Sequence, residues 1–518
     1  MTASIVLTGI GAGYPNPGVY VEVNYAQGNA LPGTGTYSIL ILANKTSAGS
    51  GTADTVIYGP DTPVPLQSEQ DMINIGGPGS EAHRCFRAMA SVLGAGSTIP
   101  VYWLFVGESA GTAASKNITL TGAASGAGNL RVYVGGGFTP GEEYVDVVIS
   151  SGDTADAIKS AAITAINTRT FWPVTASSGG VGIITLTAKQ KGPRGNDIMV
   201  QCAITNGITT SVDTTTRTPL ASGATADSNA TALTTISGQR YFYIGSAAND
   251  ATQFGAIGSA LGTQALPGNG IRQHALAGFS GTLANANTLS TTLNNARCGV
   301  AWQDLSDFTP AEIMAHTLAV IALEEAGKLP RPRHNFSLFG QSADTQSKWK
   351  LRAPRSAVTP TPTEIQSALN NGTSPIASNR NGSSFLVKLV TTRSLNGSNA
   401  DYRVRDWHRA TGPDFFADDL AAQITARYQG KDIEDDPPAD QPPLPQNNNA
   451  VNSRGFKDTV FEMIDFHNDN GNAKNVSSIK AGTQVQRETT PTNRMSARVP
   501  WQSVDIFDQA CIAIDQVG

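Results

Sequence analysis

The sequence predicts an α/β (α+β) multidomain protein: a central mixed sheet with flanking helices, an inserted β-rich domain, and extended N- and C-terminal arms. Three observations predict it. Apolar runs suited to buried strands alternate with helical patterns on both sides of a Thr/Ser/Gly-rich stretch. That stretch, about 113–226, carries short strands of period two. Each end of the chain is a strand-like segment far from these patterns. At 518 residues the chain has room for two to four domains, and 40% hydrophobic content is enough to bury real cores.

Residues 1–30 read as an N-terminal arm. Gly9, Gly11, Gly13, Pro15, Pro17 and Gly18 forbid a helix, and Val19, Val21 and Val23 then alternate with Tyr20 and Glu22 as a strand. Residues 31–112 read as the first part of the core. Thr36–Ala43 is largely apolar and suits a buried central strand. Gly79-Ser80-Glu81 opens a helix carrying Cys85, Phe86, Met89, Val92 and Leu93, Gly94 stops it, and Val101–Val106 is the next strand. Strand, helix, strand is a βαβ pattern.

Residues 113–226 read as the inserted domain. Its strands are Ile118–Leu120, Leu130–Val134, Tyr144–Ile149 and Gly182–Thr187, with one helix near Thr154–Asn167. The core resumes over 227–495. Arg240–Ile244, His274–Phe279 and Gly299–Trp302 read as strands, and Ala248–Leu261 as a helix. Thr309-Pro310-Ala311-Glu312 and Thr361-Pro362-Thr363-Glu364 each place Thr at N-cap, Pro at N1 and Glu at N3, a capping box. Gly327 and Gly372 sit where those helices should end. Phe385–Thr391 and Tyr402–Arg405 read as a pair of strands, and Phe415–Tyr428 as a helix. Residues 435–449 form a Pro/Asn-rich linker, and Phe456, Val460, Met463 and Ile464 mark a last amphipathic helix. Residues 496–518 read as the C-terminal arm.

A terminal strand far from its own core needs a sheet edge that a neighbouring molecule can supply, by β-augmentation. The inter-subunit strand residues expected on this ground are Val19, Tyr20, Val21, Glu22 and Val23 at one end and Cys511, Ile512, Ala513 and Ile514 at the other. Charged residues make up only 15% of the chain, against about 25% in typical domains, as in proteins that bury much surface against copies of themselves and also in exposed β-proteins. A net charge of −5 gives no nucleic-acid footprint. No apolar run approaches the length needed to span a bilayer, and Met1–Ala12 lacks the basic region of a signal peptide. Cys85, Cys202, Cys298 and Cys511 match no zinc or disulfide spacing and read as buried free thiols.

Chemistry finds little support. Gly9-Ile10-Gly11-Ala12-Gly13 resembles a phosphate loop, but Tyr14-Pro15-Asn16-Pro17 follows and cannot open the helix that such a loop requires. Gly372-Thr373-Ser374-Pro375 resembles a subtilisin-like serine motif. None of the six histidines is followed by Gly, however, and no Asp-Ser-Gly or Asp-Thr-Gly is present. No two histidines lie within ten residues of each other, and Asp418-Asp419 reads as exposed charge on a helix. Arg403, Arg405, His408 and Arg409, interleaved with Asp401, Asp406 and Asp414, read as a solvated strand face or an interface charge network between identical subunits. The expectation is no catalytic residue, no cofactor and no metal.

Several segments, in order, resemble contractile phage tail sheath proteins, especially the Mu-like branch. They are Pro17-Gly18-Val19-Tyr20 with Glu22; Gly59-Pro60, Val64-Pro65, Ser68, Asp71, Gly76-Gly77 and Gly79-Ser80; Asp401–Arg405 before Ala417-Asp418-Asp419-Leu420; and Asn493-Arg494, Val499-Pro500 and the closing strand. The resemblance implies a homopolymer of stacked hexameric rings around a tail tube, with terminal strands exchanged between subunits, the inserted domain facing outward, and contraction driving the tube through the host envelope without nucleotide. It implies a non-enzymatic protein of the virion tail, assembled in the host bacterial cytoplasm. Its partners would be itself, the tail tube protein, and the baseplate and tail terminator proteins, with no nucleic acid and no direct membrane insertion. The alternatives are a non-contractile surface-layer or adhesin-type structural protein, suggested by the Thr/Ser/Gly-rich strands, and a subtilisin-like hydrolase.

Overall fold

The computed structural model describes residues 19–22, 38–59, 68–94, 97, 99–212, 217–326, 349–354, 359–379, 382–436 and 449–505. Its first element is β1 (Ile39–Asn44), six consecutive buried residues. β2 (Ile57–Tyr58) follows, then α1 (Glu69–Gly76), which Ser68 and Asp71 close with a capping box. α2 (Glu81–Leu93) starts at N-cap Ser80 and ends at Gly94, and β3 (Val101–Val106) returns beside β1.

The chain then builds two four-stranded antiparallel sheets. β4 (Ala113–Thr121), β5 (Gly128–Val134) and β6 (Tyr144–Ile149) lead to α3 (Ala155–Thr168), capped by Thr154. β7 (Val174–Gly180), β8 (Ile183–Lys191), β9 (Met199–Ile204), β10 (Thr209–Thr210) and β11 (Thr218–Pro219) complete them, in the orders β10-β4-β8-β7 and β11-β9-β5-β6. Their inward residues, with those of α3, form a hydrophobic cluster of their own, including Ile118, Leu130, Val147, Ile166, Trp172 and Leu186. The stretch begins and ends where Thr112 bridges Ala224. Two ion pairs fasten this insert to the core: the part-buried Arg87 to Glu142 at 2.5 Å and the buried Arg217 to Asp307 at 2.7 Å.

Beyond the insert come α4 (Ala230–Thr235), β12 (Tyr243–Ser246), α5 (Ala251–Gln264), β13 (His274–Phe279), α6 (Leu283–Leu293), β14 (Cys298–Trp302) and α7 (Pro310–Ala326). α8 (Pro362–Asn370), β15 (Ser374–Ser378) and β16 (Ser384–Leu386) follow. The central sheet has the order β16-β15-β14-β13-β12-β1-β3-β2. Its six inner strands are parallel, while β2 and β16 run antiparallel at the edges. Alternation along the strands splits its side chains between two faces. Ile39, Ile41, Trp103, Phe105, Tyr243 and Leu276 pack under α1, α2 and α7. Leu40, Leu42, Leu104, Ile244, Ala275 and Val300 pack under α4, α5 and α6. The result is a three-layer α/β core. α7 is buried almost throughout because β13 has a glycine beneath it: a Cβ at Gly278 would collide with the Pro310 carbonyl. The capping box expected at Thr361 forms in full, and at Thr309 the Glu312 carboxylate accepts from both the Thr309 N–H and its hydroxyl.

The last unit contains β17 (Leu395–Asn396), β18 (Asn399–Ala400), α9 (Trp407–Tyr428), β19 (Asp432–Ile433), β20 (Ala450–Val451), α10 (Ser453–Asp469), α11 (Val476–Gly482), β21 (Gln484–Arg487) and β22 (Met495–Arg498). The strand pair expected over Phe385–Thr391 and Tyr402–Arg405 does not form. Only Ser384–Leu386 is strand, joined antiparallel to β15, and Val390 meets Asp406 in a single bridge. α9 begins eight residues before the expected Phe415 and runs through Pro413, because burial of Trp407, Ala410, Thr411 and Gly412 holds a turn that propensity alone would not. Among the described residues no helix is long and apolar enough to cross a membrane.

Candidate assembly site

α9 is the spine of the C-terminal unit, and its two faces do different work. Phe415, Phe416 and Leu420 pack with Val451, Phe456, Val460, Ile464, Ile479 and Trp501 into one hydrophobic cluster. The other face turns carboxylates toward the amino ends of the parallel strands. Arg297, just before β14, grips Asp414 with both Nη atoms, at 2.6 and 3.1 Å, and His274 Nε2 donates to the same carboxylate at 2.9 Å. Burial alone would raise the Asp414 pKa, but Arg297 and His274 more than offset it and hold the carboxyl well below the usual range. Burial keeps His274 neutral by lowering its pKa, so Arg297 is the counterion.

One turn on, Asp418 accepts from Arg272 at 2.5 Å and pairs with Arg240. Burial raises its pKa despite these two cations. Asp418 and Asp419 are thus not the exposed charge expected of them: Asp419 is also buried, facing His467 at 3.2 Å. The expected strand face of Arg403, Arg405, His408 and Arg409 is likewise corrected. Arg403 sits in the turn before α9 and bonds Asp401 at 2.9 Å, His408 is buried on α9, and Arg409 bonds Asp505 at 2.7 Å.

The first described segment, Val19–Glu22, and the last described residues up to Asp505 both bond to groups that pair with this unit. Of the expected N-terminal strand residues, Val19–Glu22 are described and carry no strand pairing. Arg272 Nη2 donates to the Val21 carbonyl at 2.5 Å, so the guanidinium that holds Asp418 also holds the root of the arm. Val23, Cys511, Ile512, Ala513 and Ile514 lie outside the described residues. At the other end, Met495–Arg498 pairs with β21 and Trp501 stacks on Phe416 with ring centroids 4.5 Å apart, so residues up to 501 belong to the folded unit. Asp505 is the last described residue. It is held by Lys474 and Arg409, which keep its carboxyl below the usual range.

The C-terminal unit also carries the β21–β22 ribbon. Its inward residues Val485, Met495 and Ala497 pack on the cluster beneath α9 and α10. Its pairing runs from Gln484–Arg498 to Arg487–Met495, and among the described residues neither outer edge meets another strand. The ribbon thus has an apolar underside and, among the described residues, only two strands. Sequence reading missed it because four-residue strands around a Pro/Asn loop give too short a window for period two to stand out.

Ser374 is fully buried on β15. Its Oγ accepts from the Val390 N–H at 2.8 Å and donates to the Val390 carbonyl at 3.2 Å, a strand-end clasp. Cys85, Cys202 and Cys298 are buried free thiols, and burial pushes Cys202 and Cys298 up to about 12.

No family model matches the chain. The Mu-like prophage FluMu tail sheath protein of Haemophilus influenzae is 25% identical over 192 residues, 37% of this chain and 36% of that protein. The match therefore spans about a third of the relative's length. Among solved structures, a sheath tail protein from Desulfitobacterium hafniense superposes with TM-score 0.43 and 11% identity, covering 94% of this chain and all of that one. A sheath tail protein from Listeria innocua gives 0.41 and 11%, covering 91% and 96%. A chain of the anti-feeding prophage baseplate gives 0.42 and 12%, covering 97% and 99%. The chain is similar to a Mu-like phage tail sheath protein, the resemblance its motifs carry.

Proposed function

We propose that this chain is a non-enzymatic structural subunit of a contractile tail sheath. Copies polymerise as stacked hexameric rings around a tail tube, and the polymer shortens to drive the tube through a host cell envelope. The reading extends to a place in the virion tail, assembly in the bacterial cytoplasm, contacts with tube, baseplate and terminator proteins, and an insert that faces outward. The observation that carries it is the β21–β22 ribbon, an apolar-backed strand pair that meets no third strand among the described residues, on the unit whose α9 is tied through Arg272 to Val21 and through Arg409 to Asp505. The sequence similarity to a Mu-like sheath protein supports the same reading.

Each added strand gains backbone hydrogen bonds worth about 0.5–1.5 kcal/mol apiece and buries its apolar face. Such a linkage keeps subunits connected while the surfaces between them rearrange. Purified full-length protein is expected to form rings or tubes of wide bore in negative-stain micrographs. Val21→Pro, which removes a strand donor, is expected to fold with an unchanged melting temperature and fail to make long tubes. A protein that stays monomeric across concentration and salt would sink the sheath reading. Normal tubes from Val21→Pro would sink the arm linkage alone.

A further inference from the structure

In open α/β sheets the crevice outside the carboxyl ends of the strands takes a ligand where successive connections run to opposite sides. Here that reversal falls at β1. The connection through α1 and α2 leads to β3 on one side of it, and the connection through the insert leads to β12 on the other. Outside the end of β1 stand Asn44, Glu81 and Asp227, exposed by 0%, 3% and 5%. Two carboxylates this deeply buried need a cation.

Arg194 supplies it. Its Nη1 lies 3.0 Å from Glu81 Oε2, and its Nη2 lies 2.5 Å from Asp227 Oδ2 and donates to Asn44 Oδ1 at 2.8 Å. The remaining lone pairs are taken by the walls of the crevice. The Asn44 N–H donates to Glu81 Oε2 at 2.9 Å, Asn44 Nδ2 to Asp227 Oδ2 at 2.7 Å, and the Ser109 N–H to Asp227 Oδ1 at 2.6 Å. Gln190 Nε2 donates to Glu81 Oε1 at 2.9 Å. Glu81 is also the first residue of α2, where the free N–H groups favour a carboxylate.

The occupant comes from the insert. Arg194 rides on the 3-10 turn Pro193–Asp197. That turn is fastened by Asn196, which donates to the Gly223 carbonyl at 3.1 Å and accepts from the Gly223 N–H at 2.8 Å. Gly195 packs so closely on Ala114 and Ala188 that a Cβ there would stand 2.9 and 3.0 Å from theirs.

We propose that the switch point of the central sheet is a guanidinium-binding site, occupied in cis by Arg194, and that this occupancy locks the insert onto the α/β core in one orientation. A planar fork matches two carboxylates and an amide oxygen, and an ammonium does not. The proposal concerns the folded chain itself and is independent of whether the chain polymerises.

The test uses full-length protein with Arg194→Ala and added ethylguanidinium, at a concentration that leaves the wild-type melting temperature unchanged. Arg194→Ala is expected to melt on the order of 5 °C or more below wild type. It should also be cut faster by protease in the connections 107–112 and 220–228. Ethylguanidinium should restore most of both losses, while ethylammonium and urea should not, and Arg194→Lys should recover little. A wild-type melting temperature for Arg194→Ala, or no recovery specific to the guanidinium, overturns the proposal. Should Arg194→Ala be recovered only as aggregate, it is refolded from urea with each additive. A several-fold higher soluble yield with ethylguanidinium alone supports the site, and equal yields overturn it.

Discussion

The two ends of the central sheet and the β21–β22 ribbon treat their polar groups in opposite ways. At the carboxyl end of β1, Arg194 meets Glu81 and Asp227 inside the chain. At the amino ends of β12, β13 and β14, Asp414 and Asp418 of α9 meet Arg297, Arg272 and Arg240. In both places buried charge is consumed within one molecule, which fixes how the insert, core and C-terminal unit sit. The ribbon has an apolar underside packed home and, among the described residues, meets no third strand. A buried ion pair has one good geometry and a large penalty for opening. A free edge has donors and acceptors that any extended chain can use. The sealed ends are built to stay shut, whereas the ribbon is where the proposed strand exchange would add a strand.

The sharpest break in that comparison is a pair of truncations. Removing residues 506–518 is expected to abolish long assemblies in micrographs and sedimentation while leaving the melting temperature unchanged. Ending the chain after Pro500 also removes Trp501, buried against Phe416 and His467. That is expected to lower stability by about 3–5 kcal/mol in urea unfolding. If the shorter deletion melts as low as the longer one, residues 506–518 contribute to the stability of the chain's own fold.

Asp414→Ala tests a sealed end. It leaves Arg297 buried without its carboxylate, and a loss of about 3–5 kcal/mol is expected from urea unfolding. A change below about 1 kcal/mol would mean that water reaches this seam.

His316 reports a second closed region through pH. It is fully buried between Phe138 and Trp349, its Nε2 accepts the Lys350 N–H at 2.9 Å, and burial lowers its pKa to about 3, with Lys350 adding to the shift. Because the folded value lies below the unfolded one of about 6.5, the two states bind protons equally above that pH. As pH falls from about 6.5 toward 3, the unfolded chain takes up a proton that the folded chain refuses. Stability is therefore expected to drop by at most about 1.4 kcal/mol per unit. His316→Gln, whose amide oxygen can still accept the Lys350 N–H, should flatten that slope in thermal melts across the window. An unchanged slope assigns the acid sensitivity to other groups.

The smallest effect is expected at Ser374. Ser374→Ala strands the Val390 N–H and should cost about 1–3 kcal/mol with assembly intact. A serine-directed fluorophosphonate should leave the chain unlabelled, and stoichiometric labelling there would revive the hydrolase alternative.

Much of the core and part of the insert are legible in the chain. His274–Phe279 and Tyr144–Ile149 are strands at the expected residues, since apolar runs and strict alternation are local signals. Thr309 and Thr361 open helices because a capping box needs only four consecutive residues. The short strands β7 and β9 of the insert escaped notice, one being mostly Ser and Gly and the other lacking clean alternation.

What only the tertiary structure decided is the state of the charges. Nothing near Asp414 or Asp418 announces burial. Their partners Arg240, Arg272 and Arg297 lie more than a hundred residues earlier, each just ahead of a strand, and come together only when the parallel sheet aligns those strand starts under α9. The same holds for Arg194, which meets Glu81 and Asp227 only because the insert folds back over the end of β1. Local periodicity depends on neighbours within a few residues and is written in the sequence. Whether a carboxylate is solvated or sealed depends on which cation the fold carries to it across the chain.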